Sequence, residues 1–160
     1  MDNTQTERYQ WIQELIQAED QILETGLVNF ENSLNPERIL ISETLTFLNH
    51  LKLIFEEAVE IFNDSKPTIV GRIKLYPLVK TQSDFMLFRN GYKLIFTFKK
   101  PGHILIQFHF MDSQAESDEY IENKWGAFNK VQWFHKEKLV DIEYLAKYFL
   151  VQFIRESINT

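Results

Sequence analysis

The chain contains no cysteine. A disulfide framework, a thiol nucleophile and a Cys-ligated zinc site are therefore excluded. The absence suits a reducing compartment, and a cytoplasmic location is expected. Glycine and proline are scarce, 5 and 4 among 160 residues, which argues against a loop-rich or disordered chain. No apolar run reaches the ~18 residues that a membrane-spanning helix needs. The most apolar segment, near the C-terminus, is broken by Glu143, Lys147, Gln152 and Arg155. The first residues lack the basic segment and apolar run of a secretory signal. Without export, the Asn63-Asp64-Ser65 triplet has no meaning as a glycosylation acceptor.

Positive charge is in deficit, and the net charge is -6. Binding phosphates takes clustered Lys and Arg. Neither nucleic acid nor an anionic membrane is an expected partner, unless a local basic patch overrides the net sign. A stacking platform built from Lys93, Lys99, Lys100 and Phe88 is the distant nucleic-acid reading. Catalytic motifs are missing as well. There is no Gly-rich phosphate loop, no Gly-x-Ser-x-Gly, no His-Glu-x-x-His and no calcium loop. Scattered triads exist, so enzymatic activity stays uncertain, with the balance against it. No catalytic residue, metal or cofactor is assigned.

What the chain has in quantity is aromatic side chains, 14% of residues, with 14 Phe. Bulky rings must fill a core, and the length suits one domain. Residues 85–110 organise it. Asn90-Gly91 between alternating apolar runs is a strong hairpin signal. A two-residue turn there pairs Arg89 with Tyr92, Leu87 with Leu94 and Phe85 with Phe96. Lys100-Pro101-Gly102 makes a second turn. A three-residue loop pairs Phe98 with Ile104, Phe96 with Ile106, Leu94 with Phe108 and Tyr92 with Phe110. A two-residue loop would set Gln107 and His109 among those rings, so burial favours the longer one, although a residue before proline resists the conformation such loops use.

Alternation then separates two faces. Face A holds the rings and aliphatic groups just paired and is the core. Face B holds Met86, Phe88, Lys93, Ile95, Thr97, Lys99, His103, Leu105, Gln107 and His109. Met86, Phe88, Ile95 and Leu105 form an apolar patch ringed by Lys and His, the kind of patch that marks an interface. His103 and His109 are six residues apart, roughly 20 Å along a strand, too far to share a metal.

Around this centre, residues 6–24 read as an amphipathic helix carrying Trp11, Ile12, Leu15, Ile16, Ile22 and Leu23, with Thr6 as cap and Gly26 as stop. After a connector at 27–35, Asn35-Pro36 starts a second helix that runs to Asn63; Ser42 is a second possible start. Its apolar arc is wide enough for a sandwiched helix or a subunit contact. Glu56 and Glu60 have metal-site spacing, but no His follows three residues after either. Residues 68–76 alternate like a strand, and 112–119 read as an acidic loop. Trp125-Gly126 suggests a turn carrying an exposed ring, 130–135 a last strand, and Asp141 the cap of a final helix to about residue 157.

The expected architecture is α+β: two N-terminal helices, about five mainly antiparallel strands in a meander, and a C-terminal helix. The leading functional expectation is a non-enzymatic protein-binding module (adaptor, chaperone-like or neutralising) that acts as a homodimer through Met86, Phe88, Ile95 and Leu105. The alternative is a small-molecule-binding domain or small enzyme. Its pocket would lie between sheet and helices, or over face B near His103, His109, Trp125 and His135.

Overall fold

The structure is a computed structural model and describes residues 9–25, 35–78, 83–110 and 113–158. The expected cap at Thr6, the stop at Gly26 and most of the connector fall outside these residues. The chain divides into two compact units, residues 1–42 and 43–160, each described by itself. The first holds helix α1, Gln10–Thr25, and the opening turns of α2, Pro36–Asp64. On α1, Trp11 and Ile16 are exposed, while Ile12 and Leu15 are half-buried. Asn35 caps α2: its Oδ1 accepts from the Glu37 N–H at 3.0 Å and the Arg38 N–H at 3.4 Å. Pro36 takes the first helical position, where its missing N–H is not needed.

The second unit is an antiparallel sheet covered by helices on one side. Its strands are β1 Lys74–Pro77, β2 Phe85–Arg89, β3 Tyr92–Lys100, β4 His103–Phe110, β5 Ser113–Trp125, β6 Val131–His135 and β7 Lys138–Leu139. Each pairs with the next in sequence, so among the described residues the sheet is a simple seven-stranded meander. Helix α3, Ile142–Glu156, closes the chain. Asp141 caps it, with Oδ1 accepting from the N–H groups of Glu143 and Tyr144. Among the described residues no helix is long and apolar enough to cross a membrane.

The central register is the one expected from the turns. Arg89, Leu87 and Phe85 face Tyr92, Leu94 and Phe96, and Phe98, Phe96 and Leu94 face Ile104, Ile106 and Phe108. Tyr92 pairs with Phe110 in the same ladder, though the Phe110 side chain is outside the described residues. The structure also resolves the conflict at the second turn. The expected three-residue loop is corrected to a two-residue turn, Pro101-Gly102, with Lys100 paired to His103; the register survives because Lys99 is taken up as a bulge between Phe98 and Lys100. Lys100 thus stays extended before proline. Gly102 supplies the positive φ, +79°, that a Pro-Gly turn requires.

Three further expectations are corrected. Among the described residues the sheet has seven strands, not about five. The first strand starts at Lys74 rather than residue 68, because residues 69–72 close a turn instead: the Arg72 N–H donates to the Ile69 carbonyl at 3.2 Å, with Gly71 at φ +89°. Asn63 then binds both the N–H and the carbonyl of Ile73, each at 2.8 Å, leading the chain into β1. Thirdly, the acidic stretch is strand β5, not a loop. A ladder uses backbone groups, so β4's outer edge can be paired by a polar segment. The pairing also seats Ile121 beside Ile104, where both are fully buried.

Face A is the core. On α2, Leu48, Leu51, Phe55 and Val59 are buried over it; on α3, Leu145, Ala146, Phe149 and Phe153 are. Ring contacts tie the layers: Phe55 lies 5.2 Å from Phe96 and 5.7 Å from Phe85, and Phe149 meets Phe96 edge-on at 5.7 Å. Of the wide arc of α2, Phe47 packs at 5.0 Å on Trp133 of β6, whereas Ile61 is exposed. Thr44 reaches the sheet too, its Oγ1 accepting from the Gly102 N–H at 2.9 Å. Arg89 brings a charge to this side. Its guanidinium lies 5.2 Å from the Phe62 ring centre, and burial pulls its pKa below the ordinary value.

Candidate functional site

Strand pairing assembles face B across the whole sheet. One row runs Tyr76, Met86, Ile95, Gln107, Asp118; the next carries Thr97, Leu105 and Tyr120. A row on one side holds Lys74, Phe88, Lys93 and His109. On the other lie His103, Glu122, Phe134 and Leu139. An apolar stripe therefore crosses the face obliquely, from Met86 and Phe88 through Ile95 and Leu105 to Tyr120 and Phe134. Met86, Phe88, Ile95, Leu105 and Phe134 are half-buried and Tyr120 is exposed. Their face-A neighbours Leu87, Leu94, Phe96, Ile104 and Ile106 are wholly buried. A strand turns alternate side chains to opposite faces, so this contrast follows from helices lying on face A.

Charge is unevenly spread over face B. Lys74, Lys93 and Lys99 lie on β1 and β3, whereas β5 carries Asp118 and Glu122 together with Lys124. Lysines also lean on the rings: Lys99 Nζ is 5.6 Å from the Tyr120 ring centre, and Lys124 Nζ is 4.7 Å from that of Phe134. Cations over ring faces are attracted by the ring quadrupole. Gln107 Nε2 donates to Asp118 Oδ1 at 3.5 Å, and His103 Nδ1 lies 3.6 Å from Glu122. A hollow of about 320 Å³ lies over β5, β6 and the turn that follows, between Tyr120, Glu122, Lys124, Phe134 and Lys136.

The residues singled out in the sequence fall in different places. Met86, Phe88, Ile95 and Leu105 share face B; Met86 and Ile95 are direct cross-strand partners, and Leu105 sits diagonally from Ile95. His103 and His109 share that face at opposite ends of β4, with His109 opposite Lys93. His135 points to the helix side, where its ring lies 5.7 Å from Tyr148 and 5.5 Å from Phe149. Trp125 stands at the far end of β5. The four residues of the ligand-binding expectation do not converge.

Sequence reasoning missed a cluster beside His135. Glu119 Oε1 is 2.8 Å from Lys136 Nζ and 3.5 Å from His135 Nε2. The hydrogen bond and charge of Glu119, with a smaller contribution from Tyr148, hold the Lys136 pKa above its ordinary value. Lys136 and Glu137 form the two-residue β6–β7 turn with φ +50° and +65°, values that Asn and Gly adopt more readily. The only early signal was the spacing of strand and turn, and it was hidden by reading β5 as a loop. Among the described residues, no three His, Asp or Glu side chains are grouped to hold a metal ion. Compared with family models, curated proteins and solved structures, the chain matches none of them.

Proposed function

We propose that the protein is a non-enzymatic protein-binding module whose contact surface is face B, and that its first partner is a second copy of itself. The observation that carries this reading is the oblique apolar stripe from Met86 to Phe134, half-buried on an otherwise well-packed sheet. Contiguous apolar patches of this kind are rare on monomers without a use. The uneven charge favours self-association. A two-fold axis along β4 lays β3 of one copy over β5 of the other, so that Lys99 meets the other copy's Glu122 and the two oblique stripes cross at Leu105. Two-fold contacts are self-complementary in this way, and complementary charge fixes register more than it adds affinity.

Light scattering over a concentration series tests the association. A dimer is expected. A chain that stays monomeric at every concentration overturns the reading. The geometry is tested separately: Lys99→Glu should weaken the dimer, and adding Glu122→Lys should restore it, because the swapped pair regains opposite signs.

A second reading, small-molecule binding, draws on the hollow between Tyr120 and Phe134. It lies on the sheet's outer side rather than between sheet and helices. Thermal-shift screening against metabolites and metals separates the readings. Ligand stabilisation that Phe134→Ala abolishes would favour the hollow; a screen without any stabilisation would count against it.

A further inference from the structure

The β5–β6 hairpin ends in a ring that the fold does not use. The Lys130 N–H donates to the Ala127 carbonyl at 3.2 Å, and the Gly126 N–H to the Lys130 carbonyl at 2.7 Å, closing a tight turn. Phe128 and Asn129 sit at its centre, both at φ +58°. Asn adopts this left-handed conformation readily, whereas a bulky residue there is an outlier. Phe128 is fully exposed, at 104 %. Neither turn geometry nor core packing asks for a phenylalanine at this position. Trp125, one strand residue before the turn, is 42 % exposed.

Lysines surround these rings. The neighbouring β3–β4 hairpin ends at the same edge of the sheet and is tied in by the Asn123 N–H, which donates to the Gly102 carbonyl at 2.9 Å. Lys99, Lys100, Lys124 and Lys130 are all exposed. Within the two hairpin tips, positions 99–103 and 122–131, the acidic residue is Glu122, which lies beside His103; on α2, exposed Glu43 adjoins Thr44, which bonds Gly102. In a chain of net charge -6, the two tips themselves carry an excess of lysine.

We propose that this edge docks on an anionic lipid surface. Phe128 and Trp125 enter the headgroup region, and Lys100 and Lys130 face anionic headgroups, while Lys99 and Lys124 lie over the face-B rings Tyr120 and Phe134. Aromatic rings favour that depth, and basic residues near an anionic leaflet are drawn to it within a Debye length. A pocket in a protein partner would also take a ring, but it would need an acidic rim on every side. A bilayer supplies that charge in all directions around the tip. The docking does not require the dimer. A two-fold along β4 would nonetheless leave the strand ends unreversed, so a dimer would present both tips to one plane and bind more tightly than its halves.

Co-sedimentation of the full chain with phosphatidylcholine vesicles, with and without phosphatidylserine, tests this. Binding is expected only with phosphatidylserine, falling as salt rises. Phe128→Gly suits the left-handed position and keeps the fold, so it isolates the ring; it should weaken binding about tenfold. Lys100→Glu with Lys130→Glu should weaken it by more than about tenfold. Phe88→Asp, which breaks the proposed dimer, should weaken binding without abolishing it. Failure to bind either vesicle at low salt overturns the proposal and leaves a protein pocket as the ring's acceptor. Equal binding to neutral vesicles, or a Phe128→Gly chain that binds as well as the original, also overturns it.

Discussion

Ile95 and Phe96 are adjacent in β3 and sit in different surroundings. Phe96 is wholly buried, in ring contact with Phe55, Phe85 and Phe149. Ile95 is half-buried, between Met86 and Gln107. The two faces differ in what lies over them, not in how the strands are paired, since one ladder holds both. Burying a side chain of this size stabilises by roughly 1.5–3 kcal/mol, and face A collects that gain many times over. Face B collects only part of it. Its remaining apolar surface is therefore available to association, while the helices and face A keep the sheet in shape.

The comparison can be broken most forcefully from the core side. Phe96→Ala removes a ring that three others enclose, and chemical denaturation should show a loss of about 3–5 kcal/mol. A loss as small as that of a face-B variant would erase the distinction between faces. Next comes the polar frame. Asn63→Ala leaves both backbone groups of Ile73 without their partner; Ile73 is buried, so about 1–3 kcal/mol should be lost. Asp141→Ala removes the cap of α3 and should cost about 1 kcal/mol. Both variants weaken what holds face A without touching face B, so self-association of the folded fraction should persist.

The smallest expected effect is at Lys136. Its pKa is raised in the folded chain, chiefly by the hydrogen bond to Glu119. The stabilisation is then fully present below the ordinary value of 10.5 and is lost as pH rises through the raised folded value. A Lys136→Gln variant should match the parent above that window and fall slightly below it at neutral pH. The pair is exposed on the lysine side, so solvent screening keeps the difference small.

The central sheet was legible because turns fix register. Asn90-Gly91 dictates a two-residue hairpin, and every pairing of β2 with β3 follows. The register at the second turn was legible for another reason: only one offset keeps Gln107 and His109 out of the core. Strand β5 was not legible. Asp118 and Glu119 carry the signature of a solvated loop, yet the ladder to β4 is made by backbone groups that composition does not report. Strand β7 has two residues, too few for any periodicity. The candidate site was read by halves for the same reason. Met86, Phe88, Ile95 and Leu105 lie on the strands whose register the turns set. Tyr120 and Phe134 complete the stripe, and both depend on β5.

One measurement bears most directly on the claim that one face folds the chain and the other binds. It is the molar mass of Phe88→Asp by light scattering, taken beside its unfolding midpoint. The account predicts a parent at twice the chain mass and a variant at the single-chain mass, with stability within about 1 kcal/mol of the parent. A variant that remains dimeric, or one that loses as much stability as Phe96→Ala, would contradict it.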